Sequence, residues 1–173
     1  MIQKFFITIL LIIPLTGIIF NSDGLGKRVD REIEDEFQVN SFEHQGVHIR
    51  KELQEKLPSE ISEENFFRLK SGEKILGYAY LDKAPSKTAE FDYLVILNKD
   101  LSIARTKVLV YREEYGGEIG SKRWLRQFVG KSKPSELNNI AAISGATISV
   151  RSMKMAVKDL LESIEILKEN KVL

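Results

Sequence analysis

The chain has 173 residues, a formal net charge of +1 and no cysteine. Without cysteine there is no disulfide framework, no thiol catalysis, no thiolate metal site and no lipid-modified cysteine. Acidic and basic residues are interspersed, so neither nucleic acid nor an acidic polymer is an expected partner.

Lys4 is followed by an uncharged stretch over residues 5–20, most of it Ile, Leu, Phe or Val. Such a stretch reads as an export signal or membrane anchor, and residues 1–22 are assigned to it. As a helix it reaches ~24 Å against a hydrocarbon core of ~30 Å, so spanning needs its flanking residues as well. No small-residue cleavage site follows around residues 18–23, which favours an anchor that is kept. Lys4 on one side and Lys27 and Arg28 on the other leave its orientation open.

About 150 residues remain beyond it, enough for one compact core. Residues 23–73 read as a helical spacer and the N-terminal part of a domain, and residues 74–173 as the domain proper. The charged run over 30–37 suggests a short solvated helix that lifts the domain off the membrane. Residues 47–57 suggest a second helix, ended by Pro58, with a turn or helical start over 59–65. His44 and His48 stand four apart, a spacing that would align two ligands on a helix face, but Gly46 weakens such a helix and two ligands do not make a metal site. Both lie about a hundred residues from Ser144, which also weakens any Ser-His hydrolase.

Residues 75–81, 91–97 and 102–111 are rich in β-branched and aromatic side chains and are separated by polar turns. They predict an antiparallel meander. Period-two counting puts Phe91, Tyr93, Val95 and Leu97 on one face, with Leu94 and Ile96 among those on the other, so both faces need cover. Helices over 121–129 and 150–170 are expected to supply it, giving an α+β fold: an antiparallel β-meander packed with helices and preceded by the N-terminal signal or anchor helix.

The last helix is entered through Ser144-Gly145-Ala146-Thr147-Ile148-Ser149. The free amides and positive dipole end of a helix N-terminus attract anions, hydroxyls add donors, and Gly145 and Ala146 keep the backbone approachable, so the turn suits a phosphate. An ordinary cap made by Thr147 or Ser149 uses the same residues.

Ser144-Gly145-Ala146-Thr147 resembles the flavinylation motif of the FMN-binding domain family, whose members include one component each of the Rnf complex and of the sodium-pumping NADH:quinone oxidoreductase. The stretch over 108–119, a strand running into a Glu-x-x-Gly turn, and the Arg123-Trp124-Leu125-Arg126-Gln127-Phe128-Val129-Gly130-Lys131 block resemble two further parts of that family. The similarity covers roughly residues 74–160. It implies FMN joined through its phosphate to the Thr147 hydroxyl by a flavin transferase that uses FAD. Family members usually carry an aspartate three residues before the motif, where this chain has Ala141. Noncovalent FMN is the alternative.

With a flavin in view, Tyr111, Tyr115 and Trp124 are candidates to flank the ring, although Trp124 with Phe128 equally suits a core. Tyr115-Gly116-Gly117 suits close approach of backbone to ligand, and Glu113 is either a ring or ribityl contact or a surface turn residue. Arg123, Arg126 and Lys131 would favour an anionic reduced flavin, or are solvated helix residues. The expectation is an exported, membrane-associated flavoprotein in the cell envelope, anchored or secreted to the extracytoplasmic side. It would carry electrons between partner proteins rather than act as a stand-alone enzyme. The competing expectation is an extracytoplasmic binding or sensor module with noncovalent or lost flavin.

Overall fold

The computed structural model describes residues 24–173, so the expected signal or anchor helix lies outside the described residues. The elements run α1 (Gly24–Phe37), β1 (Glu43–Gly46), α2 (Lys51–Gln54), β2 (Phe66–Ser71), β3 (Lys74–Pro85), β4 (Glu90–Asn98), β5 (Ile103–Val110), α3 (Lys122–Leu125) and α4 (Thr147–Glu169), with short 3₁₀ turns around α3 and at Pro134–Leu137. The five strands form one antiparallel sheet in sequence order, a meander. The class is α+β, as the strand periodicity implies. Among the described residues no helix is long and apolar enough to cross a membrane.

β4 anchors the packing on both sides of the sheet, because both of its faces are buried along nearly its whole length. Its period-two split holds. Phe91, Tyr93, Val95 and Leu97 join the core beneath α3 and α4, where Trp124, Phe128, Val157 and Leu161 meet them. Leu94 and Ile96 pack on the opposite side with Val29 and Ile33 of α1.

That second cover corrects the sequence reading. The helix expected over 30–37 starts at Gly24, and it is a sheet-packing element rather than a solvated lift. Its charges also meet the sheet: Arg105 on β5 lies 2.9 Å from Glu32 and 2.7 Å from Glu36, and Lys107 lies 2.7 Å from Glu32. Hydrophobic residues four apart on a short charged helix are enough to make such a seam. α3 and α4 both lie on the first face and leave the second to α1.

The helix expected over 47–57 shrinks to one turn, α2. Residues 43–46 pair with β2 instead, and Val47 N–H donates to Phe66 O at 3.1 Å, so extended pairing overrides local helix preference here. His44 therefore sits on a strand, bonded to Asp30 at 2.9 Å, while His48 contacts Glu63. The two histidines do not converge, and among the described residues no cluster of His, Cys, Asp and Glu could hold a metal. β2 escaped the sequence reading, although the Gly72-Glu73 link to β3, with Gly72 at φ +57°, is a recognisable hairpin connection.

Ile33 is fully buried. Ile33→Ala should therefore lower unfolding free energy by about 2–5 kcal/mol in urea denaturation. A loss below about 0.5 kcal/mol, typical of a solvated surface position, would contradict the packing of α1 on the sheet.

Candidate functional site

α4 begins three residues earlier than its hydrophobic spacing suggests, so Thr147 is its first residue and Ala146 its N-cap. No side chain caps it: Ala146 has none to offer, and the capping role expected for Thr147 or Ser149 is not filled by either. The turn before it closes through Ala146 N–H to Ile143 O at 3.3 Å, with Gly145 at φ +84°, a backbone angle that glycine adopts without strain. The first amides of a long helix are thus left with their positive end open.

Facing this turn is the chain leaving β5. The Tyr111 hydroxyl donates to Tyr115 O at 3.0 Å and lies 3.0 Å from the buried Ser149 Oγ in the first turn of α4. Since its single proton goes to Tyr115 O, Tyr111 accepts from Ser149. Gly116 sits at φ +86°, and a Cβ there would come within 2.7 Å of the Tyr111 hydroxyl and 3.5 Å of Ala146. Glycine is required at this position for both reasons.

The third wall is the β3–β4 hairpin, and Glu113 fastens it. Glu113 Oε1 accepts from Ser86 Oγ at 2.6 Å, Thr88 N–H at 2.6 Å and Ala89 N–H at 3.1 Å, while Oε2 accepts from Thr88 Oγ1 at 3.0 Å. These bonds, led by that from Ser86, hold the Glu113 carboxyl at about 2, below its ordinary 4.5. Of the two readings open to Glu113, ring contact or surface turn, the geometry gives a third: a latch between two loops.

Together the walls enclose a cleft of about 730 Å³, within the range of small-ligand sites. Gly145, Ala146, Thr147, Ile148 and Ser149 line one side, Tyr111 to Tyr115 another, and Lys87 and Thr88 the third. The Tyr115 ring stands 83% exposed at the rim, an unusual position for a large aromatic. Arg112 lines the cleft but is committed to Asp92 and to Glu90 O.

Of the sequence candidates, Thr147, Gly145, Ala146, Glu113 and Tyr115 line this cleft, and Gly116 packs directly behind it. Ser144 is exposed on the turn and is not among the lining residues. Trp124 lies elsewhere, 4% exposed, edge-on to Phe128 at 5.2 Å and donating Nε1–H to Ala141 O at 2.7 Å. The core account of Trp124 is the one its surroundings fit. Arg123 belongs to a separate cavity beside Trp124, and Arg126 to one among α1, β5 and α3, so neither lines the cleft. Ser149, part of the turn read as a phosphate seat, lines the cleft, whereas Lys87 and Thr88 carry no ligand signal in the sequence, because the hairpin that bears them is placed by the sheet.

The latch has a pH signature. A carboxyl depressed in the folded state stabilises above its unfolded pKa of about 4.5 and loses that contribution as pH falls toward about 2. The melting temperature should accordingly fall across that window, and Glu113→Gln should flatten this part of the profile. An unchanged profile in the variant would show that the latch does not form.

Residues 88–162 match the model of the FMN-binding domain. A search of curated proteins found no match. The matched segment contains the latch residues Thr88 and Glu113, the Tyr111–Gly116 wall and the first turns of α4. Residues 88–162, which build most of the cleft, are thus similar to the FMN-binding domain.

Proposed function

We propose that this chain is an exported, membrane-associated flavoprotein that carries electrons, with FMN esterified through its phosphate to Thr147 and its ring in the cleft. The observation that carries the proposal is the uncapped start of α4 at Thr147, at a cleft lined mostly by the segment that is similar to the FMN-binding domain.

The residues present fit the group. A phosphate at the first turn of α4 gains donors from amides that no side chain satisfies and from the dipole of a 23-residue helix. Thr147 is exposed and makes no capping bond, so its hydroxyl is free to become an ester oxygen. Ala146 and Gly145 put no bulk between an anion and the backbone. The exposed ring of Tyr115 offers a flat face for stacking, and Lys87 a cation on the hairpin wall. When bound, FMN supplies one- and two-electron chemistry, and the chain binds, orients and tunes it.

The uncharged stretch over residues 5–20 supports export and membrane association, and with it a role in the envelope between a donor and an acceptor protein. Maturation then requires a flavin transferase. Ala141 favours a second reading, a binding or sensor module with noncovalent FMN. Its amide donates to Gln127 Oε1 at 2.9 Å and its carbonyl accepts from Trp124, and it lines a separate cavity. The absent acid therefore leaves the cleft itself intact and bears on the attachment step alone.

Expression with a flavin transferase should give a yellow protein whose Thr147 peptide is heavier by one esterified FMN. Thr147→Ala should abolish that adduct and change stability by less than about 0.5 kcal/mol, since the side chain makes no capping bond. An unmodified but yellow protein would replace the ester by the noncovalent reading, and a colourless one would contradict both.

A further inference from the structure

Thr147 lines two cavities. Beyond the cleft, on the other side of this residue, lies a groove of about 320 Å³ with Leu137, Ala142, Val150 and Met155 in its walls. Met155 is 53% exposed, an apolar side chain left in water where this groove meets the cavity that holds Asp82 and Asp159. Arg151, Lys154 and Lys158 rim the groove, and no carboxylate lines it. Their spacing of three and then four residues puts all three on one face of α4. The other cavities differ: Glu113 and Glu114 balance the cleft, Glu32 and Glu36 face the cations below β5, and Asp82 and Asp159 make another acidic.

The charge is local. Lys158 has an exposed i, i+4 partner in Glu162 at 3.1 Å, a pair that water and salt weaken, and Lys154 donates to the uncharged Ile140 O at 3.1 Å. Because the whole chain carries a formal charge of only +1, the positive field over this groove comes from its rim and not from the molecule's net charge.

We infer that this groove docks the acidic face of a redox partner protein, bringing it against the Thr147 end of the flavin site. The inference rests on the proposed attachment of FMN at Thr147. An apolar centre inside a charged rim is the anatomy of a protein interface, where the rim steers encounter and the centre excludes water. The small concave centre suits a transient contact of modest area. A lipid surface is the poorer fit, since it is flat and is held by clusters of about four to eight cations, more than stand here.

Zero-length carbodiimide cross-linking of the full-length chain to an acidic plastocyanin, with a basic cytochrome c as control, tests this directly. Expected are amide links from Lys154 or Lys158 to plastocyanin carboxylates, lost near 1 M salt, where the Debye length is roughly 3 Å, and none to cytochrome c at these lysines. Arg151→Glu with Lys158→Glu, leaving Lys154 on its carbonyl, should lower the yield at Lys154 about tenfold. Links spread over lysines elsewhere, insensitivity to salt, or an unchanged yield in the variant would overturn the docking surface. So would vesicles of phosphatidylglycerol that bind the wild type and not the variant while plastocyanin links stay unchanged. Intact mass records FMN separately, so links at Lys154 on a chain that carries none would count against the attachment and not against the surface.

Discussion

One hydroxyl contact organises the site: Tyr111 and Ser149 join the chain leaving β5 to the first turn of α4. Through it, two segments nearly forty residues apart in sequence hold a helix N-terminus against a loop, with the cleft between them. Gly116 is confined by that contact, since a Cβ there would come within 2.7 Å of the Tyr111 hydroxyl. The Glu113 latch then closes the third side by tying the β3–β4 hairpin to the same segment. The start of α4 thereby forms one wall of the cleft, with its first amides uncapped by any side chain.

The sheet makes this arrangement stiff. From Tyr111 a file of rings runs inward: Phe91 at 6.1 Å, Tyr93 a further 6.3 Å on, Tyr80 at 6.2 Å from it and Phe66 at 6.4 Å from that. Both Tyr80 and Tyr93 direct their hydroxyls to Asp82, at 2.7 Å and 3.4 Å, and burial raises the pKa of each, so both remain neutral donors. Cleft and core are thus one packed unit on the α4 side, while α1 seals the opposite face with Val29 and Ile33 and with ion pairs to β5. The loops that wall the cleft are thus tied to strands and a long helix, which hold their geometry better than free loops would.

Much of this is legible from residue type and spacing, and the gaps have physical causes. The β3, β4 and β5 meander follows from dense β-branched and aromatic runs, and the two faces of β4 from simple alternation. β1 is hidden because its Glu43-His44-Gln45-Gly46 sequence has no strand signature, and only pairing with β2 makes it one. α1 reads as solvated because its charges outnumber its buried residues, yet Glu32 and Glu36 have partners on β5 that lie about seventy residues away. The Thr147 turn reads as a candidate anion site from its residue types alone, and its resemblance to a flavinylation motif is what suggests the proposed ligand. Trp124 shows the limit: an aromatic pair at i, i+4 has the same spacing in a core as beside a flavin, and only its bond to Ala141 O and its burial assign it to the core. The role of Glu113 is out of reach, because its partners lie on a hairpin whose position is set by the sheet.

The central claim is that the uncapped start of α4 holds the phosphate of FMN. It is tested most directly by a crystal structure of the protein after treatment with a flavin transferase and FAD. Expected is density continuous from Thr147 Oγ1 into a phosphate within hydrogen-bond reach of the first amides of α4, with the ring between Tyr115 and the Lys87 hairpin. Flavin density that leaves those amides to water, or an ester on another residue, would contradict it.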